Sequence, residues 1–119
     1  MAKKIGLIED DATMVSLLQT LFRLEGYEPS IFAPTSIEDV VQNVVEEHPA
    51  ALLVDVHLKS FNGIDLTQTL RKVETIPQPL IVMASGMNLA KECEQAGADH
   101  FFLKPYMPDD LITWLKNNL

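Results

Sequence analysis

The residues of this chain with the most chemical capacity are few. They are a run of acids, Glu9, Asp10 and Asp11; a single acid, Asp55, behind Leu52-Leu53-Val54; a hydroxyl at Ser85 behind Met83-Ala84; and Lys104 between Leu103 and Pro105. Each stands at the polar end of a short apolar run. Carboxylates crowded together raise one another's proton affinity unless a cation neutralises them, and an all-oxygen ligand set favours a hard ion such as Mg²⁺. Mg²⁺ keeps several waters and bridges to phosphate oxygens, while a nearby lysine adds a compact positive charge. Gathered around one aspartate, such groups would form an acyl phosphate on a carboxylate nucleophile.

Whether they gather depends on the elements that carry them. Ile5 to Ile8 is apolar, too short for an amphipathic helix and bounded by charge, as a buried strand is. Met14, Leu17, Leu18, Leu21 and Phe22 then form an apolar helical stripe that stops near Gly26. Pro29 to Phe32 reads as a second strand, and Ile37, Val40, Val41, Val44 and Val45 as a second helix capped by Ser36. Ala51 to Val54 is the third run, followed by a helix from Ile64 to Val73 that opens after Asn62 and Gly63. Leu80 to Ala84 is the fourth run, with a short helix from Leu89 to Ala96 ending at Gly97. Phe101 to Leu103 is the fifth, before a last helix marked by Leu111, Ile112 and Leu115.

Uniformly apolar strands alternating with helices imply a parallel sheet covered on both faces by right-handed crossovers, a doubly wound five-stranded α/β fold. Ligands of such sheets bind beyond the carboxyl ends of the strands, where the winding reverses. In the flavodoxin-like order 2-1-3-4-5 the first and third strands are neighbours, which sets Glu9 and Asp10 beside Asp55.

Composition narrows the function classes. The 119 residues, 47% hydrophobic, suit one domain over 1–119 with one core. With 17 acids against 9 Lys and Arg, the formal charge of -8 repels phosphate backbones, so no direct nucleic-acid binding is expected. Cys93 is the one cysteine, which allows no intrachain disulfide and points to a reducing, cytoplasmic compartment. No apolar stretch has the length of a secretory signal or a membrane span, so no membrane association is expected.

Five fragments occur in order along the whole chain: Leu7-Ile8-Glu9-Asp10-Asp11; Leu53-Val54-Asp55-Val56-His57-Leu58 followed by Asn62-Gly63; Ala84-Ser85-Gly86; Gly97-Ala98-Asp99; and Leu103-Lys104-Pro105-Tyr106. Together they resemble the receiver domains of two-component response regulators, the CheY-like superfamily. The resemblance implies that Asp55 is the phosphoacceptor and that Glu9 and Asp10 are the acidic pair, Asp10 the more direct Mg²⁺ ligand. It gives His57 a metal-binding backbone carbonyl, Ser85 the hydroxyl that moves to the phosphoryl group, and Lys104 the role of counterion. Phe101 becomes the aromatic whose rotamer reports the state, and Lys104-Pro105 a cis peptide bond. A histidine kinase or phosphotransfer protein would be the donor and an effector protein the target. Whether the phosphorylated form pairs into a homodimer is left open.

Two positions depart from the family pattern. Lys59 stands where proline is usual, which removes a rigid point from the loop after Asp55. The stretch from Ser85 to Gly97 is short, and the hydroxyl position falls on Ser85 when counted from Gly86 but on Ala84 when counted from Pro79. Ser85 is the preferred reading.

Rival functions leave marks of their own. An aspartyl-nucleophile phosphohydrolase would need a second Asp two residues after the nucleophile, and His57 stands there instead. A pseudo-receiver that binds partners without phosphate would be marked by loss of the switch hydroxyl. Neither His48 nor His100 has an acid or cysteine at ligand spacing, and no function is assigned to them. Asp65, Asp109 and Asp110 sit near helix starts, where they favour the dipole. Met83 and Met87 read as core or rim, and Trp114 as either core or partner surface.

Overall fold

Runs without helical periodicity become strands and the periodic ones helices. The computed structural model describes residues 2–119. Its strands are β1 (Lys4–Ile8), β2 (Glu28–Ile31), β3 (Ala51–Asp55), β4 (Leu80–Ser85) and β5 (His100–Leu103). They alternate with helices α1 (Ala12–Leu24), α2 (Ile37–Glu47), α3 (Gly63–Arg71), α4 (Ala90–Ala96) and α5 (Pro108–Asn118). All strand pairs are parallel, in the order β2-β1-β3-β4-β5. This is the doubly wound, flavodoxin-like α/β sheet expected.

Strand alternation sorts the side chains onto two faces. Ile8, Leu52, Val54, Ile81 and Met83 face α2, α3 and α4, and pack with Val40, Val44, Leu66, Leu70 and Cys93. Ile5, Leu7, Ala51, Leu53 and Val82 face α1 and α5, and pack with Leu18, Phe22, Leu111, Ile112 and Leu115. Full burial of one such side chain stabilises the fold by about 1.5–3 kcal/mol, so the sheet is held from both sides.

Local signals set the helix ends. Asp11 caps α1 by accepting from the Thr13 and Met14 amides, at 2.9 and 3.1 Å. Ser36 caps α2 through the Asp39 amide and Asn62 caps α3 through the Ile64 amide, at 3.0 and 2.7 Å. His48 closes α2 in the left-handed region, at φ 49°. Pro108 opens α5, where its missing N–H costs nothing.

Most element bounds move by one or two residues from the sequence reading, and three differences bear on packing or the site. Strand β2 ends at Ile31; the Phe32 amide still donates to the Leu7 carbonyl at 3.0 Å, but its ring is fully buried against the α2 face. Strand β4 continues through Ser85. Leu17, on the expected stripe of α1, is 52% exposed, because the sheet covers only the Leu18 and Phe22 side of that helix. Among the described residues no helix is long and apolar enough to cross a membrane.

Candidate functional site

Glu9 follows β1, Asp55 ends β3 and Lys104 follows β5, so three carboxyl ends converge at the switch point between β1 and β3. By alternation all three side chains leave the sheet on the α1/α5 side, in step with Leu7, Leu53 and Phe102. The Lys104 ammonium donates to Asp55 Oδ1 at 2.7 Å and to Glu9 Oε1 at 3.3 Å. The other Glu9 oxygen accepts from the Asp10 amide at 3.0 Å. Glu9 and Asp55 side chains are only 10% and 13% exposed, so their charges are poorly hydrated and the ammonium between them sets the local balance.

Burial holds the Glu9 carboxyl above its ordinary range, and the Asp55 charge adds to this; the Lys104 charge and hydrogen bond act against both. For Lys104, burial alone would lower the pKa. The hydrogen bond and charge of Asp55, then those of Glu9, outweigh burial and raise it. The ammonium is therefore charged at neutral pH.

Asp10 is turned away from this pair. Its Oδ2 accepts from the Lys59 amide at 2.6 Å, tying the β1 exit to the loop after β3. A proline at 59 has no amide hydrogen and could make no such bond. His57 lies in that loop, in an isolated antiparallel bridge with Asn62, with its side chain exposed. Among the described residues no three acid, histidine or cysteine groups are close enough to share a metal. Of the expected set, Glu9 and Asp55 meet on Lys104, while Asp10 stands beside them on a loop amide.

Comparison with known proteins places this arrangement. The sequence pattern of the response regulator receiver domain matches residues 5–116. The chain belongs to the response regulator receiver domain family. It is 25% identical over 119 residues to the DNA-binding response regulator MtrA of Mycolicibacterium paratuberculosis, covering all of this chain and 52% of that protein. The chain thus spans about half the length of the curated relatives it matches. A putative response regulator from Chloroflexus aurantiacus superposes with TM-score 0.86 at 28% identity, over 98% of this chain and 97% of that one. The chemotaxis protein CheY4 of Vibrio cholerae superposes with TM-score 0.86 over the whole of both chains at 16% identity, a likeness of fold. A receiver domain of this class is a signalling module of two-component systems.

Within this receiver the hydroxyl expected at Ser85 is not on the Asp55 face. Asp55 pairs in register with Ala84, and Ala84 lines the cleft with Asp55, Lys104 and Glu9. Ser85, one residue on, points to the α4 side, where it is fully buried and its Oγ accepts from the Met87 amide at 3.0 Å. The reason is the period of two along β4: Val82 and Ala84 share one face, Met83 and Ser85 the other. The count from Pro79 is therefore the one the strand obeys. Phe101 pairs with Met83 and packs on the α4 side, across the sheet from Asp55.

Tyr106 ends the last of the five fragments, but the resemblance gives it no role. It lines the Asp55 cleft together with Ala84 and Lys104, half-buried against α1 and α5. The Lys104-Pro105 bond before it is cis, as the resemblance implied. Its one signal in the sequence is its place, two residues past Lys104.

Proposed function

We propose that Asp55 accepts a phosphoryl group and that this chain catalyses the transfer itself. The observation that carries the reading is the Lys104 ammonium held between Asp55 and Glu9 at 2.7 and 3.3 Å. A carboxylate oxygen of Asp55 attacks phosphorus, the bond from phosphorus to the donor breaks, and the bonding electrons leave with the donor. A phosphohistidine donor departs as imidazole once its nitrogen takes a proton; acetyl phosphate departs as acetate. Lys104 stays beside the new acyl phosphate as counterion to its oxygens.

Glu9, Asp10, Asp55 and the His57 backbone carbonyl would hold Mg²⁺ once Asp10 leaves the Lys59 amide and turns toward the other two acids. The donors are hard oxygens, and the raised pKa of Glu9 marks a place where buried negative charge is under-compensated. When bound, the ion supplies the positive charge that draws phosphoryl oxygens toward the nucleophile. The donor protein is a histidine kinase or phosphotransfer protein, and the output is contact with an effector protein, in a cytoplasmic setting. The formal charge of -8 favours protein partners over nucleic acid.

Incubation with acetyl phosphate and Mg²⁺, followed by intact-mass measurement, tests this. Wild type gains one phosphoryl group that EDTA prevents and Asp55→Ala abolishes. The same gain in Asp55→Ala would place the acceptor elsewhere.

A further inference from the structure

In this chain the face of β4 next to Asp55 carries a methyl group, Ala84, and the nearest β4 hydroxyl, Ser85, is engaged across the sheet with the Met87 amide. A phosphoryl group on Asp55 carries about -2 charge in place of the carboxylate's -1 and brings three strong acceptor oxygens, which need donors. Lys104 is one. The other polar side chain reaching the cleft from the α1/α5 side is Tyr106. Asp55, Ala84, Lys104 and Tyr106, together with Glu9 and apolar side chains of β1, β3 and α1, line a narrow cavity of about 10 Å³ for the centre of a water-sized sphere, about the least room that one water-sized group requires. Among the described residues no group hydrogen-bonds to the Tyr106 hydroxyl. Burial pushes its pKa up; the Lys104 charge lowers it, and the Glu9 and Asp55 charges raise it again. A phenol, with an ordinary pKa of about 10, is a protonated donor at neutral pH.

The Tyr106 ring also begins a column of aromatic contacts on the α5 side of β5. Its centroid is 5.2 Å from that of Phe102, Phe102 is 4.6 Å from His100 edge-on, and His100 stacks on Trp114 of α5 at 5.2 Å and 23°. The four rings are each partly buried and touch in sequence, so a turn of Tyr106 changes what Phe102 and the rings beyond it pack against. We propose that Tyr106 supplies the phosphoryl-binding hydroxyl that β4 does not, and that its inward turn is passed through Phe102 and His100 to Trp114 on α5. The proposal rests on Asp55 as phosphoacceptor. It names a route on the α5 side of the sheet, whereas a route through Ser85 and Phe101 would run on the α4 side.

Trp114 is the only tryptophan, so its emission reads the end of the column directly. Wild type, Tyr106→Phe and Ser85→Ala are incubated with acetyl phosphate and Mg²⁺. Each sample is split between intact mass and tryptophan emission, and the emission change is expressed per phosphorylated molecule. Tyr106→Phe keeps the ring and removes only the hydroxyl. Wild type should change its emission on phosphorylation, Ser85→Ala should match it, and Tyr106→Phe should lose at least about four-fifths of the change. Three results overturn the proposal: phosphoryl mass on wild type without an emission change, an undiminished response in Tyr106→Phe, or a response lost in Ser85→Ala. Absence of phosphoryl mass on wild type removes the acceptor reading as well, and the mass arm tells that failure apart from the others.

Discussion

Replacing Lys104 with methionine keeps the unbranched apolar stem of the side chain and removes the ammonium from between two carboxylates. Glu9 and Asp55, 10% and 13% exposed, are then left adjacent and uncompensated. Removing one partner of a buried ion pair costs about 3–5 kcal/mol; the Lys104 side chain is 27% exposed, and the resulting screening brings the expected loss to about 2–3 kcal/mol. For a domain of this length that lowers Tm by about 10 °C. The loss depends on pH in a defined direction. Glu9 has a folded pKa above its ordinary 4.5, so its stabilising contribution is full below that value and is lost as pH rises through the folded pKa. Without Lys104 the folded pKa rises further and the loss deepens. Lys104, with its own pKa raised, stabilises wild type throughout this range and ceases to do so only in strong alkali. The gap between wild type and Lys104→Met should therefore be widest near neutrality and narrow as pH falls toward about 4.5, the Lys104 contact with Asp55 keeping part of it. Mg²⁺ at ten times its dissociation constant should return about 1.4 kcal/mol. Urea melts at several pH values, with and without Mg²⁺, measure all of this. Equal stability of the two proteins at neutral pH, or a gap that persists unchanged into acid, would show that the two carboxylates do not depend on Lys104.

Two further expectations concern the rest of the sheet. Arg71 joins the end of α3 to the Gly97 and Pro79 carbonyls and to Gln78, at 2.9, 2.8 and 3.0 Å. Arg71 also pairs with Asp99 at 2.9 Å, with side chains 21% and 38% exposed, so that pair is partly screened, and Arg71→Leu should cost about 2 kcal/mol in urea melts with unchanged m-value, mostly from the carbonyl bonds. Cys93 is fully buried and its thiol is pushed up to about 11 by burial, with the Glu92 charge adding to this. Iodoacetamide at about pH 8 should leave it unmodified in the folded protein and alkylate it in urea, as read by intact mass; rapid alkylation of the folded chain would contradict that burial.

The fold is legible in the sequence because its signals are redundant. Every strand but β2, which holds Glu28 and Ser30, is a run too short and too uniformly apolar for an amphipathic helix, and α1, α2 and α5 carry apolar stripes at helical spacing, so the alternation survives an error at any single boundary. The differences at Phe32 and Leu17 have a common cause. Apolar character draws Phe32 into β2, yet burial of its ring is a property of the loop that follows the strand. The same character draws Leu17 into the α1 stripe, although only tertiary packing decides how much of a helix the sheet covers.

The site divides along a different line. Charge at the carboxyl ends of neighbouring strands is costly to bury unless opposite charges meet there, which is why Glu9, Asp55 and Lys104 can be brought together from sequence, and the Lys104 ammonium does bridge the two acids. Ser85 attracts the switch role by chemical type, but parity decides against it. Side chains along β4 repeat with a period of two, and the register with Asp55 allows only one of two adjacent residues to face the cleft. Val82 and Met83 carry no mark of which face each takes, because both faces of the sheet are apolar and both residues are buried. The Asp10 contact with Lys59 leaves still less in the sequence. It joins two loops through a backbone amide, and a backbone amide leaves no trace in a sequence except where proline would have removed it.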